Sequence, residues 1–264
     1  MSYVKDVLRK DKQVLIEEKL NGEEFTLQAF SDGTRIAAMP PVQDHKRAFI
    51  NDEGENTGGM GSYSSGDALP FLLEHDIEEG KKIIQSTIHA MKKIAPFKGV
   101  LYGQFMATKD GVKIIEFNAR FGDPEAINVL ALLESSLPQT LLSIADGQLD
   151  PPKFSQECTV VKYLVPDGYP SNPKTDAEVS INEGALEQSQ AKLYYASVYE
   201  KEGKVLTTSS RAFAVLGKGD SLAQAEKIAE QGCSCITGSV WHRLDIGTQK
   251  LIEKRITHMQ DIRK

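Results

Sequence analysis

The chain of 264 residues is 40% hydrophobic and 26% charged, the balance of a globular protein with room for one large domain or two ordinary ones. Its formal charge of −6 argues against a nucleic-acid partner, which would demand a basic face. No apolar run approaches the roughly 18 residues of a membrane span, and Met1 to Asp6 form no signal core, so a cytoplasmic protein is expected. The three cysteines, Cys158, Cys233 and Cys235, cannot build a disulfide framework and lack zinc spacing; they read as small buried residues.

Gln13 to Leu20 and Glu23 to Ser31 alternate as strands around Asn21-Gly22, and Asp32-Gly33 turns the chain into a third strand, Thr34 to Met39. From Val42 to Gly66 no period holds, and a loop of that length inside a domain is unusual unless functional. Ile77, Ile84, Ile88, Met91 and Ala95 then mark one face of a helix, with Lys92 and Lys93 near its C-terminal end. Gly99 to Thr108 and Val112 to Asn118 read as a hairpin. A three-residue loop, Lys109-Asp110-Gly111, sets Gln104 opposite Glu116, whereas a two-residue loop sets Phe105 there. The first pairs polar with polar. Helices follow at Ala126 to Leu133 and Leu137 to Gly147, and Asp150-Pro151-Pro152 reads as a linker. Beyond it, strands are expected at Cys158 to Val165, Lys192 to Tyr199, Lys204 to Thr208 and Arg211 to Leu216. A capping box at Ser221 and Gln224 opens a helix that stops at Gly232, and a last helix runs from Thr248 to Ile262. The fold class is therefore α+β: an antiparallel sheet with helices over residues 1–155 and a small α+β unit over 156–264.

The chemistry concentrates at Lys113 to Glu125. Alternation along a strand puts Glu116, Asn118 and, if the strand continues, Arg120 on one face, about 6.5 Å apart from one to the next. A hard cation such as Mg2+ takes one or two protein oxygens and the rest from phosphate and water, which Glu116 and Asn118 can supply. Arg120 can grip a phosphoryl or carboxylate group bidentately. A strand with a merely solvated polar face is the alternative, but Arg120-Phe121-Gly122-Asp123-Pro124-Glu125 follows directly. The long loop adds Gln43-Asp44-His45-Lys46-Arg47 and the glycines of Gly54 to Gly61. Glycines admit an anion to the backbone and the cations neutralise it, although the pattern is neither a P-loop nor a dinucleotide fingerprint.

Acidic Glu17, Glu18, Glu23 and Glu24 at a strand end are either solvated or able to grip ribose hydroxyls. His75, His89 and His258 show no metal spacing and read as surface residues; His242 is ambiguous. Arg211 can bind an anion or make a structural ion pair. No nucleophile motif is present. Metal ligands, cations and glycines are the inventory of phosphoryl transfer, which depends on positioning and charge neutralisation.

In order, I-E-E-K-L-N-G-E-E, P-P-V-Q-D-H-K-R, N-T-G-G-M-G-S-Y-S, G-V-L-Y-G-Q-F-M and I-I-E-F-N-A-R-F-G-D-P-E closely resemble the phosphoribosylamine–glycine ligases, ATP-grasp enzymes of purine synthesis. The resemblance runs from about Val14 to the end, where W-H-R-L-D-I-G looks like the closing motif. It implies ATP-dependent ligation of glycine to 5-phosphoribosylamine through glycyl phosphate. Carried over, Glu17, Glu18, Lys19 and Leu20 would form the adenine hinge and Glu24 the ribose carboxylate. Arg47 and Asn56 would lie at the nucleotide, and Glu116 and Asn118 would hold Mg2+ or Mn2+. Arg120 would steady the transferred group, with Gly58, Gly59, Gly61 and Asp123 on the substrate side.

Two departures from the pattern stand out. Gln104 occupies the place where many ATP-grasp enzymes carry an acidic metal ligand. The chain also starts late, with only Met1 to Lys12 before the hinge, so the expected parts are a partial ATP-grasp domain and a C-terminal unit. Half a clamp does not exclude water from an acyl phosphate, so the chain alone is expected not to ligate at a useful rate. The rival expectations are a non-catalytic nucleotide-binding remnant, a subunit needing a separate N-terminal half, or a ligase of another carboxylate and amine.

Overall fold

The structure, a computed structural model, describes residues 2–66 and 68–264. It begins with α1 (Ser2–Asp11), followed by an extended stretch over residues 13–21 that belongs to no strand. The strand expected at Gln13 to Leu20 therefore does not form. Its alternation is present, but Leu15 and Ile16 are 78% and 84% exposed. No neighbouring strand among the described residues takes up the backbone groups, and alternation without a partner does not make a strand.

β1 (Gly22–Asp32) turns through Gly33 into β2 (Ile36–Ala38). The long loop carries β3 (Gln43–Asp44), β4 (Arg47–Phe49), β5 (Glu53–Asn56) and β6 (Gly61–Ser64). Next come α2 (Glu74–Lys92), β7 (Lys98–Thr108), β8 (Gly111–Asn118), α3 (Glu125–Leu132) and α4 (Leu137–Ala145). The rest comprises β9 (Cys158–Pro166), β10 (Glu178–Ile181), α5 (Glu183–Ser189), β11 (Lys192–Tyr195) and β12 (Val198–Lys201). β13 (Lys204–Thr207), β14 (Phe213–Gly219), α6 (Leu222–Ser234), β15 (Ile236–Gly238), β16 (Val240–Trp241) and α7 (Gln249–Ile262) complete it.

The first sheet runs β2-β1-β7-β8, with β1 and β7 antiparallel from Gly22 opposite Thr108 to Asp32 opposite Lys98. One face is apolar. Phe25 stacks on Phe105 at 5.4 Å, and Leu27, Ala29, Leu101 and Ala107 join Ile77, Ile84 and Ile88 of α2 in one buried cluster. This is the helical face that the period of 3.6 foretells. The other face is apolar only at the Asp32 end, where Phe30 and Val100 cluster with Val129 and Ile144. Towards Gly22 it carries Glu24, Thr26, Tyr102 and Gln104, because directly opposed residues share a face.

A six-stranded sheet takes β3 and β6 from the long loop and β9, β11, β14 and β16 from beyond residue 155. The loop is thus where the chain crosses from one sheet to the next. A four-stranded sheet, β12-β13-β10-β15, and the two-stranded β4-β5 pair complete the fold. The single strand expected over Lys192 to Tyr199 is divided, since β11 pairs β14 and β12 pairs β13 in different sheets. α6 continues past Gly232 to Ser234. That glycine serves packing: a Cβ there would lie 2.5 Å from the Ala191 Cβ and 2.7 Å from Val215. Only half of the capping box forms. Ser221 accepts from the Gln224 N–H, while the Gln224 side chain accepts from the Asp220 N–H instead. The three cysteines are free and buried, and no helix of the described residues is long and apolar enough to cross a membrane.

Candidate functional site

The β7–β8 hairpin sets the register that matters most. Its turn is the two residues Lys109-Asp110, with Thr108 opposite Gly111, not the three-residue loop expected. Gln104 nevertheless lies opposite Glu116, because a bulge at Ile115 shifts the ladder by one residue between Phe105–Ile114 and Gln104–Glu116. Asn118 lies opposite Tyr102 on the same face. The Asn118 amide donates to Glu116 Oε1 at 2.9 Å, so the two side chains lie side by side. Arg120 reaches Asn118 Oδ1 at 3.5 Å and donates to the Phe121 carbonyl at 2.8 Å. Glu116 and Arg120 are exposed and Asn118 is half-buried. Two hard oxygens on one edge strand fit a cation that completes its shell with phosphate and water. Among the described residues no group of three or more His, Cys, Asp or Glu converges on a metal position.

Beside this pair opens a cavity of about 670 Å³, lined by Glu24, Arg47, Asn56, Gln104 and Ile115 among others. Gln104 links two walls, donating to Glu24 Oε2 at 2.6 Å and accepting from Lys46. Arg47 lies opposite Asn56 across the β4–β5 pair, and its guanidinium donates to the Gly54 carbonyl at 2.8 Å. Behind them Asp44 is enclosed: burial, then the nearby Glu125 charge, pushes its carboxyl well above the usual range despite Lys46. His45 is stacked on Tyr63 at 5.8 Å, and burial lowers its pKa. Burial opposes ionisation of Asp52, yet His45, Arg255 and Arg243 outweigh it and hold that carboxyl far below the ordinary value.

A second cluster joins distant parts of the chain. Tyr163 donates to Asp123 Oδ1 at 2.7 Å, and Arg211 donates to Asp123 Oδ2 at 2.8 Å. The same guanidinium binds the carbonyls of Gly58 and Gly59 at 2.9 and 3.0 Å and lies 4.2 Å above the Tyr163 ring. Asp123 remains 54% exposed, so this fixed carboxylate still faces solvent. Two glycines here are dictated by packing. Gly59 has φ +107, and a Cβ would fall 2.6 Å from Pro124; at Gly61 it would fall 2.2 Å from the Val161 carbonyl.

Residues 1–126 match the family model described as phosphoribosylglycinamide synthetase, ATP-grasp (A) domain, and residues 159–249 match its C domain. The chain belongs to the phosphoribosylglycinamide synthetase family. It is 52% identical to the phosphoribosylamine–glycine ligase of Methanocella arvoryzae over 99% of this chain, and 51% identical to that of Methanobrevibacter smithii over 95%. Those alignments take in 60% and 58% of the relatives, so the chain spans about three-fifths of their length. Among solved structures, the phosphoribosylamine–glycine ligase of Thermotoga maritima superposes with a TM-score of 0.77 at 27% identity, over 87% of this chain and 56% of that one. The biotin carboxylase domain of Hydrogenobacter thermophilus 2-oxoglutarate carboxylase, solved with MgADP, shares the fold alone: TM-score 0.59, 14% identity, 97% of this chain and 54% of that one.

Within this synthetase fold, the structure gathers Glu24, Arg47 and Asn56 at one cavity and Glu116 and Asn118 on the adjoining strand, which ends at Asn118 so that Arg120 lies just beyond it. Gly58, Gly59 and Asp123 meet at Arg211, while Gly61 pairs with Lys162 of β9. Glu17, Glu18, Lys19 and Leu20 stay outside the cavity lining, in the extended stretch before β1. Asp44, Lys46, Gln104, Lys254, Arg255 and His258 line the cavity as well. His258 is therefore no mere surface residue: its Nδ1 lies 2.6 Å from Glu23 Oε1. His242 is paired too, with Glu230 at 3.1 Å. Lys46 and Gln104 stood inside quoted motifs, but the three α7 residues carry no local signal.

Proposed function

We propose that this chain is the nucleotide- and metal-holding part of a phosphoribosylamine–glycine ligase, joining glycine to 5-phosphoribosylamine with ATP. Residues 1–155 would hold the nucleotide and metal half-site and residues 156–264 the C-terminal unit. The observation that carries this reading is the Glu116–Asn118 pair on one face, beside a cavity walled by Glu24, Arg47 and Asn56.

Glu24 takes the ribose hydroxyls, and Arg47 and Asn56 contact the nucleotide; the adenine edge falls to Glu17 to Leu20 by the family resemblance alone, since they lie outside the cavity lining. Glu116 and Asn118 hold Mg2+ or Mn2+, which neutralises charge on the phosphates when bound. A glycine carboxylate oxygen attacks the γ-phosphorus, the bond to the β-phosphate oxygen breaks, and ADP leaves. Arg120 offsets the negative charge of the transferring group. The phosphoribosylamine nitrogen then attacks the carbonyl carbon, losing a proton as inorganic phosphate departs. Asp123, fixed by Tyr163 and Arg211, and the exposed Gly58 face the substrates, while the buried Gly59 and Gly61 shape the loop behind them.

Calorimetric titration of the chain with Mg·ATP tests this reading, and ADP release dependent on both glycine and phosphoribosylamine tests it in an enzyme reconstituted with the N-terminal part of a relative. Nucleotide binding that weakens in Glu116→Gln supports it. ADP release with another amino acid, and none with glycine, would reassign the ligase. A chain that binds no nucleotide sinks the reading.

A further inference from the structure

α7 reaches the nucleotide cavity from the far end of the chain, and all but its first residue lies beyond the stretch matched to the C domain. Thr248 caps it by accepting from the Leu251 N–H. At the other end Arg263 donates to the buried Asp76 carboxylate at the start of α2. Leu251, Ile252 and Met259 are buried, which fixes the rotation of the helix. Lys254, Arg255 and His258 consequently turn towards the cavity, the last two from one stripe of the helix surface.

Arg255 spans two elements. Its Nη1 meets Glu23 Oε2 at 3.2 Å and its Nη2 meets Asp52, while His258 shares the other oxygen of Glu23. Glu23 immediately precedes Glu24 on β1, and Asp52 sits in the turn between β4 and β5, which carry Arg47 and Asn56. One guanidinium therefore ties together the two strips of chain that present the proposed nucleotide contacts. Two buried nitrogens of cavity-lining residues, Arg255 Nε and His45 Nε2, have no partner among the described residues, although such groups are ordinarily satisfied.

Charge adds an independent argument. The lining without α7 sets Glu23, Glu24, Asp44 and Asp52 against Lys46 and Arg47, a negative balance. Lys254 and Arg255 offset it. An anion entering a cavity of the first kind is repelled, and the two α7 cations remove that net repulsion.

We propose that α7 makes this cavity receptive to a polyphosphate nucleotide, with Lys254 as a ligand of the phosphates and Arg255 as a positioning residue for Glu24, Arg47 and Asn56. This rests on the nucleotide reading above and adds to it a wall drawn from the C-terminal helix. The test titrates Mg·ATP and adenosine into the full chain by calorimetry at about 50 mM and about 500 mM salt. Lys254→Gln weakens Mg·ATP binding about fivefold at low salt, converges on wild type at high salt, and leaves adenosine unchanged. Arg255→Met weakens both ligands about tenfold, and Arg255→Lys recovers part of the loss because it keeps the charge but not the fork. Thermal denaturation of each variant verifies folding; should Arg255→Met unfold, Arg255→Lys and Lys254→Gln decide. If wild type binds Mg·ATP and these variants match it at low salt, the role of α7 is overturned while the nucleotide reading stands. If wild type binds neither ligand, the nucleotide reading falls first.

Discussion

Asp32 closes β1, and its removal tests how that strand is held in register. The buried carboxylate accepts from the backbone N–H groups of Thr34 at 2.9 Å, Arg35 at 2.8 Å and Leu149 at 3.1 Å, and from the Arg35 guanidinium. Burial opposes ionisation, but these donors outweigh it and bring the pKa from 3.8 to about 2. The folded value lies below the unfolded one, so the contribution is complete above the unfolded value and fades as pH falls towards the folded one. At about 1.36 kcal/mol per pKa unit the carboxylate contributes about 2.5 kcal/mol at neutral pH. Two-state linkage leaves about 1.3 kcal/mol of it at about pH 3. Asp32→Asn keeps one acceptor oxygen and loses the charge, so its deficit against wild type in urea denaturation narrows by about 1 kcal/mol between about pH 7 and about pH 3. A deficit independent of pH would refute the reasoning, because the stabilisation would then not come from the ionised carboxylate.

Glu116→Gln lowers Mg·ATP affinity about tenfold by calorimetry while the melting temperature stays unchanged, because the side chain is exposed and its charge is the contribution lost. For Asp44 the sign is opposite to that of Asp32. Its pKa is raised by burial and by Glu125, so the wild type loses stability as pH climbs above the ordinary carboxylate value. Asp44→Asn gains on wild type in urea denaturation between about pH 4 and about pH 7; a constant difference would contradict the raised pKa. Lys162, fully buried between Glu226 and Glu230 at 2.7 and 2.6 Å, is a structural cation. Lys162→Ala costs about 3 kcal/mol in chemical denaturation, and adding Glu226→Gln and Glu230→Gln recovers most of it, since the loss comes from stranded carboxylates.

The motifs around Glu116 and Asn118 were legible because their geometry is local. Two residues apart on a strand means one face, and the hydrogen bond between them follows from that spacing. The long helix α2 was equally legible, since its apolar period is written within one window of sequence. The same logic failed at Gln13 to Leu20, where alternation exists without a neighbouring strand. It also failed in detail at the hairpin, where a shorter turn and a bulge at Ile115 compensate to give the expected partner of Glu116.

By itself the sequence determined the local alphabet of this protein: which segments alternate, which turn, and which short runs carry oxygen ligands and cations. Only the tertiary structure decided that Arg211 holds Asp123 from 88 residues away and that His258 meets Glu23 across 235. It also decided that a helix at the far end of the chain brings Lys254 and Arg255 to the cavity. Periodicity and turn chemistry act over a few residues, whereas these pairings depend on which buried faces of α7 and the sheets find one another.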